Sequence, residues 1–167
     1  MPSPSRALYR ARQSFTALIP WVGEAEREEA AAILGERLLP LFDSMSRRDQ
    51  RHCLDVYRAL CRGGCRDRDV LTAALLHDAG KGRLAGKKVC LWHRVGYVLL
   101  AAAAPGLLRR LAQGGGLGLL HRHPQRGAEL AAALGATDVA VELIRRHEGE
   151  EATDDRLCWL RAADDSC

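Results

Sequence analysis

Apolar residues recur at three- and four-residue intervals along most of the chain, and Gly, Pro and short polar clusters punctuate the runs. The pattern predicts a helix over Ser5–Leu18, stopped before Pro20, and a second over Glu24–Leu39, opening on acids and ending at Pro40. Both read as packing helices that cover a core. Ser46-Arg-Arg-Asp49 has the form of a capping box, with Asp in place of the usual Glu. The helix after it carries His52, Val56, Ala59 and Leu60 on one stripe, so His52 faces inward. Beyond Gly63-Gly64, Asp67 or Asp69 starts an apolar helix that runs into His77-Asp78 and stops at Gly80. A basic, glycine-containing loop follows from Lys81 to Lys88.

Leu91–Gln113 is the least polar region, but Pro105-Gly106 breaks it before the roughly 18 apolar residues that a membrane span needs. A buried helix pair is expected there, with contact at a membrane surface the lesser alternative and His93 structural. Gln113-Gly-Gly-Gly116 reads as a joint. Pro124 suits the first turn of a helix that starts near His123 and closes at Gly135. Thr137 can cap the next helix, Asp138–His147. An acidic stretch leads to a last helix, Asp154–Asp165, with Leu157, Leu160 and Asp164 on one face.

Composition sharpens this to an all-α fold. Ala and Leu dominate, aromatics make up only 5%, and β-branched residues are sparse. A chain of 167 residues suits one compact domain, with residues 1–45 as packing helices and 46–167 carrying the chemistry. The net charge of +4 is mild and no continuous basic face is evident, which argues against stable nucleic-acid binding. An excess of arginine fits an anionic small molecule. The six cysteines (53, 61, 65, 90, 158 and 167) form no C-x-x-C pair, so free buried thiols are expected rather than structural zinc. Met-Pro-Ser-Pro-Ser-Arg lacks the apolar core of a signal peptide, and a reducing cytoplasm is the expectation.

Chemistry gathers at six positions: His52, His77, Asp78, His123, His147 and Asp164. Each lies on or at the end of a predicted helix, and each faces the core or sits at a terminus. Imidazole nitrogen with carboxylate oxygen suits a hydrolytic divalent metal or non-haem iron. An aspartate on a core-facing stripe costs several kcal/mol unless paired, so Asp164 needs a partner, and a metal would serve.

This set resembles the HD-domain metallohydrolase superfamily over about residues 46–165. Leu75-Leu-His-Asp-Ala-Gly-Lys81 is similar to its His-Asp-x-Gly-Lys signature, and Leu160-Arg-Ala-Ala-Asp164 to its late Leu-x-x-Ala-Asp. His123-Pro-Gln-Arg-Gly-Ala resembles the His-Pro-x-x-Gly-Ala element of the binuclear branch, known from cyclic-di-GMP phosphodiesterases. Ile144-Arg-Arg-His147-Glu resembles that branch's His-His-Glu, with Arg146 in place of the first histidine. The branch's Gly-Tyr-Pro loop is absent, which argues against a trinuclear site and against cyclic-di-GMP.

The resemblance implies one or two divalent metals (Fe, Mn, Mg, Zn, Co or Ni). His52, His77, Asp78 and Asp164 would hold the first, and Asp78 would bridge to a second completed by His123 and His147. The opposing expectation is a mononuclear site, with those two histidines contacting phosphate instead. The implied activity is hydrolysis of a nucleotide or other small phosphoester by a metal-activated water. Lys81 and Arg126 would hold the phosphate, and His121 or Glu148 would protonate the leaving group. A mixed-valent di-iron oxygenase and a non-catalytic regulatory module are the competing readings.

Overall fold

A computed structural model describes residues 21–85, 106, 107, 111, 115–148 and 154–167. The expectations for Ser5–Leu18, for nearly all of Leu91–Gln113 with His93 and Cys90, and for the acidic stretch 149–153 lie outside those residues. The described chain forms helices α1 (Glu24–Asp43), α2 (Arg47–Arg62) and α3 (Arg68–Leu76), followed by two 3-10 turns, Ala79–Lys81 and Arg83–Ala85. Then come α4 (Gly115–His121), α5 (His123–Ala133), α6 (Asp138–Arg146) and α7 (Asp155–Asp165). No strand occurs among the described residues, so the fold is all-α, as expected. No described helix is long and apolar enough to cross a membrane.

The centre of the bundle is α3. Every residue from Val70 to Leu76 is buried, and α1, α2, α6 and α7 all pack against this one short helix. Burying Leu75 and Leu76 fully contributes about 1.5–3 kcal/mol each. Its start is fixed by the Asp67 carboxylate, which accepts from the Asp69 and Val70 N–H groups. Ties from two other helices hold that end: Arg156 of α7 pairs with Asp67 at 2.7 Å, and the Thr137 hydroxyl ahead of α6 donates to Asp69 at 2.6 Å.

The first described helix departs from the sequence expectation. It continues through Pro40 to Asp43 instead of ending at Leu39. The break falls at Gly35, with φ 65° and ψ 179°, a conformation open almost only to glycine. Leu41 and Phe42, beyond Pro40, are fully buried, and that burial outweighs the hydrogen bond that proline removes.

The cysteine expectation holds only in part. Cys53 and Cys65 are buried, Cys61 is half-buried, and Cys158 and Cys167 are exposed; all five are free. Because α2 stops at Arg62, Cys61 and Cys65 share no helix. The Ser46–Asp49 start is half of a capping box. Ser46 Oγ accepts from the Asp49 N–H at 3.3 Å, and its own proton goes to Asp49 Oδ2 at 2.7 Å.

Candidate metal centre

Helix ends deliver the site. His77 is the C-cap of α3 and His147 the C-cap of α6, both still in right-handed helical geometry, while His123 opens α5 ahead of Pro124. His52 projects from α2 and Asp164 from α7. Gly80 and Gly127 close the assembly, because a Cβ on Gly80 would lie 2.0 Å from the His123 carbonyl oxygen. Only glycine lets the turn after Asp78 approach α5 this closely.

The side chains form two overlapping groups that could each hold a metal ion: His52, His77 and Asp78, and Asp78, His123 and His147. Asp78 belongs to both. Asp164 flanks the first group, with its Oδ1 2.8 Å from His52 Nε2 and 3.6 Å from His77 Nε2. In the second group His123 Nε2 lies 3.4 Å from Asp78 Oδ1 and 3.2 Å from His147 Nε2.

The hydrogen bonds fix which ring nitrogens face inward. His77 Nδ1 contacts the Ala74 carbonyl at 2.9 Å, His123 Nδ1 the Leu120 carbonyl at 2.6 Å, and His147 Nδ1 the Ile144 carbonyl at 2.7 Å. A carbonyl only accepts, so Nδ1 carries a proton in all three, and a ring in its neutral form turns an Nε2 lone pair into the cluster. Two lone pairs then face one another between His123 and His147. His77 Nε2 is buried with no hydrogen-bond partner. A buried orphan nitrogen and opposed lone pairs both cost free energy that a bound cation would relieve. The donor set therefore fits a metal ion.

The electrostatics agree. Burial pushes the His77 imidazole below its ordinary pKa, and burial with the neighbouring His77 and His123 rings pushes His147 down to about 3. Both rings are therefore neutral at pH 7, the form that could ligate a metal ion. Burial alone would raise Asp78, but the Lys81 ammonium and the surrounding histidines hold it well below the usual carboxylate range. Lys81 Nζ contacts Asp78 Oδ1 at 2.6 Å; burial opposes its charge, yet Asp78 carries its pKa above normal. His52 is raised chiefly by its hydrogen bond to Asp164.

The other expected site residues divide. Glu148 reaches the cluster from a half-exposed position, its Oε1 3.6 Å from His123 Nε2. His121 is exposed, and no hydrogen bond or ion pair of the cluster among the described residues reaches it. Arg126 is also exposed and pairs with Glu129 at 3.3 Å on the outer side of α5. The structure does not bring Arg126 to the cluster.

Two residues that the sequence did not flag support the site. Arg161 of α7 donates from Nε to the His147 carbonyl at 3.0 Å and from Nη2 to the Arg146 carbonyl at 2.6 Å. It thereby satisfies carbonyls left open at the end of α6. One helix thus supplies Asp164 to the first group and anchors the backbone of His147 in the second. Cys53 is fully buried with Sγ 3.8 Å from His77 Nδ1, and burial raises its thiol well above normal. It serves as a neutral packing surface behind that ring. No protein-family model, curated protein or solved structure matches the chain.

Proposed function

We propose that the chain is a metal-dependent phosphohydrolase of the HD-domain kind, acting on a nucleotide or other small phosphoester with two cations that share Asp78. The observation that carries this reading is the pair of buried His/Asp groups meeting at one carboxylate, with the Nε2 atoms of His77, His123 and His147 turned inward. Bound there, the cations would supply Lewis acidity at a phosphoryl oxygen and a water of lowered pKa.

The protein's own residues do the rest. His77, His123 and His147 are held by their Nδ1–H groups, so they present a fixed geometry. Asp164 and Asp78 contribute two carboxylates, the first on His52 and the second on Lys81, which a bound cation would share. Lys81 is held on Asp78 at 2.6 Å, and among the described residues it is the cation that would meet an arriving phosphate there. Glu148 would hand a proton to the leaving group, a role supported by its Oε1 standing 3.6 Å from His123 Nε2 at a half-exposed position. His121 and Arg126 have no such placement.

The imidazole-rich donor set also suits iron, and a di-iron oxygenase would use the same six residues. Metal-depleted protein reconstituted with Mn, Fe(II), Zn, Mg, Co or Ni and given a panel of nucleotides and an aryl phosphate separates the readings. Metal-dependent phosphate release, lost in a folded Asp78→Ala variant, is the expected result. Iron-dependent oxygen uptake without phosphate release, or no turnover with any metal, would contradict it.

A further inference from the structure

Next to the cluster, the end of α1, the start of α2 and the turns after Asp78 enclose a cleft of about 590 Å³. That lies within the roughly 300–1,000 Å³ range of ligand pockets. Lys81 belongs to both places, lining the cleft and contacting Asp78 Oδ1 at 2.6 Å. Arg27, Arg47, Lys81 and Arg83 line the cleft against one carboxylate, Asp43.

Two of the four cations are already engaged. Arg27 grips Asp43 through two bonds of 2.9 and 2.6 Å, and Lys81 is held by Asp78. Arg47 and Arg83 are not neutralised: among the described residues neither guanidinium has an ion-pair partner. The hydrogen bond of Arg47 to the Val22 carbonyl is long, 3.4 Å, and its guanidinium stacks 5.9 Å from the Trp21 ring centre. The neutral groups are spent within the fold. Ser44 Oγ donates to Leu41 O, Ser46 Oγ to Asp49 Oδ2, and Gln50 Nε2 to Phe42 O. What the cleft has left to offer is guanidinium donors, whose fork matches the oxygens of a phosphate.

The fold also fixes where those donors stand. The Arg83 N–H donates to the Ser44 carbonyl at 3.0 Å. Gly82 packs so tightly on Ser44 that a Cβ would sit 2.8 Å from its Oγ. Arg47 is the first residue of α2, where the amide end of a 16-residue helix adds to the positive potential.

We infer that this cleft binds a second anionic group of the substrate, and that the substrate class is a phosphoester bearing a further phosphate away from the one hydrolysed. The hydrolytic half rests on the phosphohydrolase reading; capture of the anion does not. Calorimetric titration of the metal-depleted full chain with pyrophosphate tests the second half, in about 0.15 M salt to screen diffuse attraction. The expected result is one pyrophosphate per chain, weakened at least about tenfold by Arg47→Gln with Arg83→Gln. The charge-matched pair Arg66→Gln with Arg145→Gln should change it by less than about twofold. No binding, or equal weakening by the control pair, overturns the anion site whether or not the chain is an enzyme. With metals restored, the preference in kcat/KM for a nucleotide with a second phosphate over an aryl monophosphate should fall about tenfold in the Arg47/Arg83 variant. An equal loss on both substrates overturns the substrate class.

Discussion

Gly80 lies directly against Gly127, so closely that a Cβ on Gly80 would stand 2.8 Å from the Gly127 nitrogen. This contact joins the turn that carries His77 and Asp78 to the helix that carries His123, so the geometry shared by the two metal groups depends on it. Gly80→Ala meets backbone, which cannot swing aside. The substitution should cost about 1–3 kcal/mol or more in urea unfolding and weaken metal binding by Asp78, His123 and His147. Stability within about 0.5 kcal/mol of the parent would show that the approach is not tight.

Arg161 provides the second link between the two groups. Replacing it with Gln leaves the Arg146 and His147 carbonyls without their charged donor, at a cost of about 1–3 kcal/mol. The larger effect should fall on metal affinity. The ion at Asp78, His123 and His147 should bind about 10–100-fold more weakly, while the ion at His52, His77 and Asp78 is retained. Metal titration followed by calorimetry reads the two steps separately, and equal weakening of both would assign Arg161 to general stability.

Glu26 links α1 to α2 and gives stability a defined acid limb. Burial would raise its pKa, but hydrogen bonds from Arg51, the Gly23 N–H and Arg58 outweigh this and bring it from 4.5 down to about 2. A folded pKa below the unfolded one means stability that is fully present above about pH 4.5 and is lost as pH falls toward 2. Glu26→Gln should therefore be less stable than the parent at pH 7, with the gap narrowing through that window. Urea midpoints at pH 7, 4 and 2.5 check this, and a gap that does not change with pH would refute the linkage.

The parts of the fold legible in the sequence were those with local causes. Asp67, Thr137 and Asp154 each cap the helix that their position predicts, because an N-cap needs only its own next turn. His52 stands half-buried on the helix face that its spacing to Val56 and Leu60 predicts, and the ring placement of His77 and His147 follows from their standing at helix ends. What was not legible depends on distant partners. Arg161 lies 14 residues from the carbonyl it holds, and nothing around it in sequence marks it as more than a surface cation. The fit of Gly80 to Gly127 needs two backbones to meet, and the passage of α1 through Pro40 needs Leu41 and Phe42 to find a core. Arg126 shows the opposite failure: its motif neighbourhood pointed to phosphate, but helical geometry turns it outward to Glu129.

If Asp78 is shared by two bound metals, the metal content per chain at saturation follows from it. Elemental analysis of the purified protein should give two metals per chain, falling to one in His147→Ala and to none in Asp78→Ala. Cys61→Ala and Cys65→Ala should leave the content unchanged, since neither thiol belongs to a metal-competent group among the described residues. One metal per chain at saturation, unaffected by His147→Ala, would mean that Asp78 is not shared and that the second site does not exist.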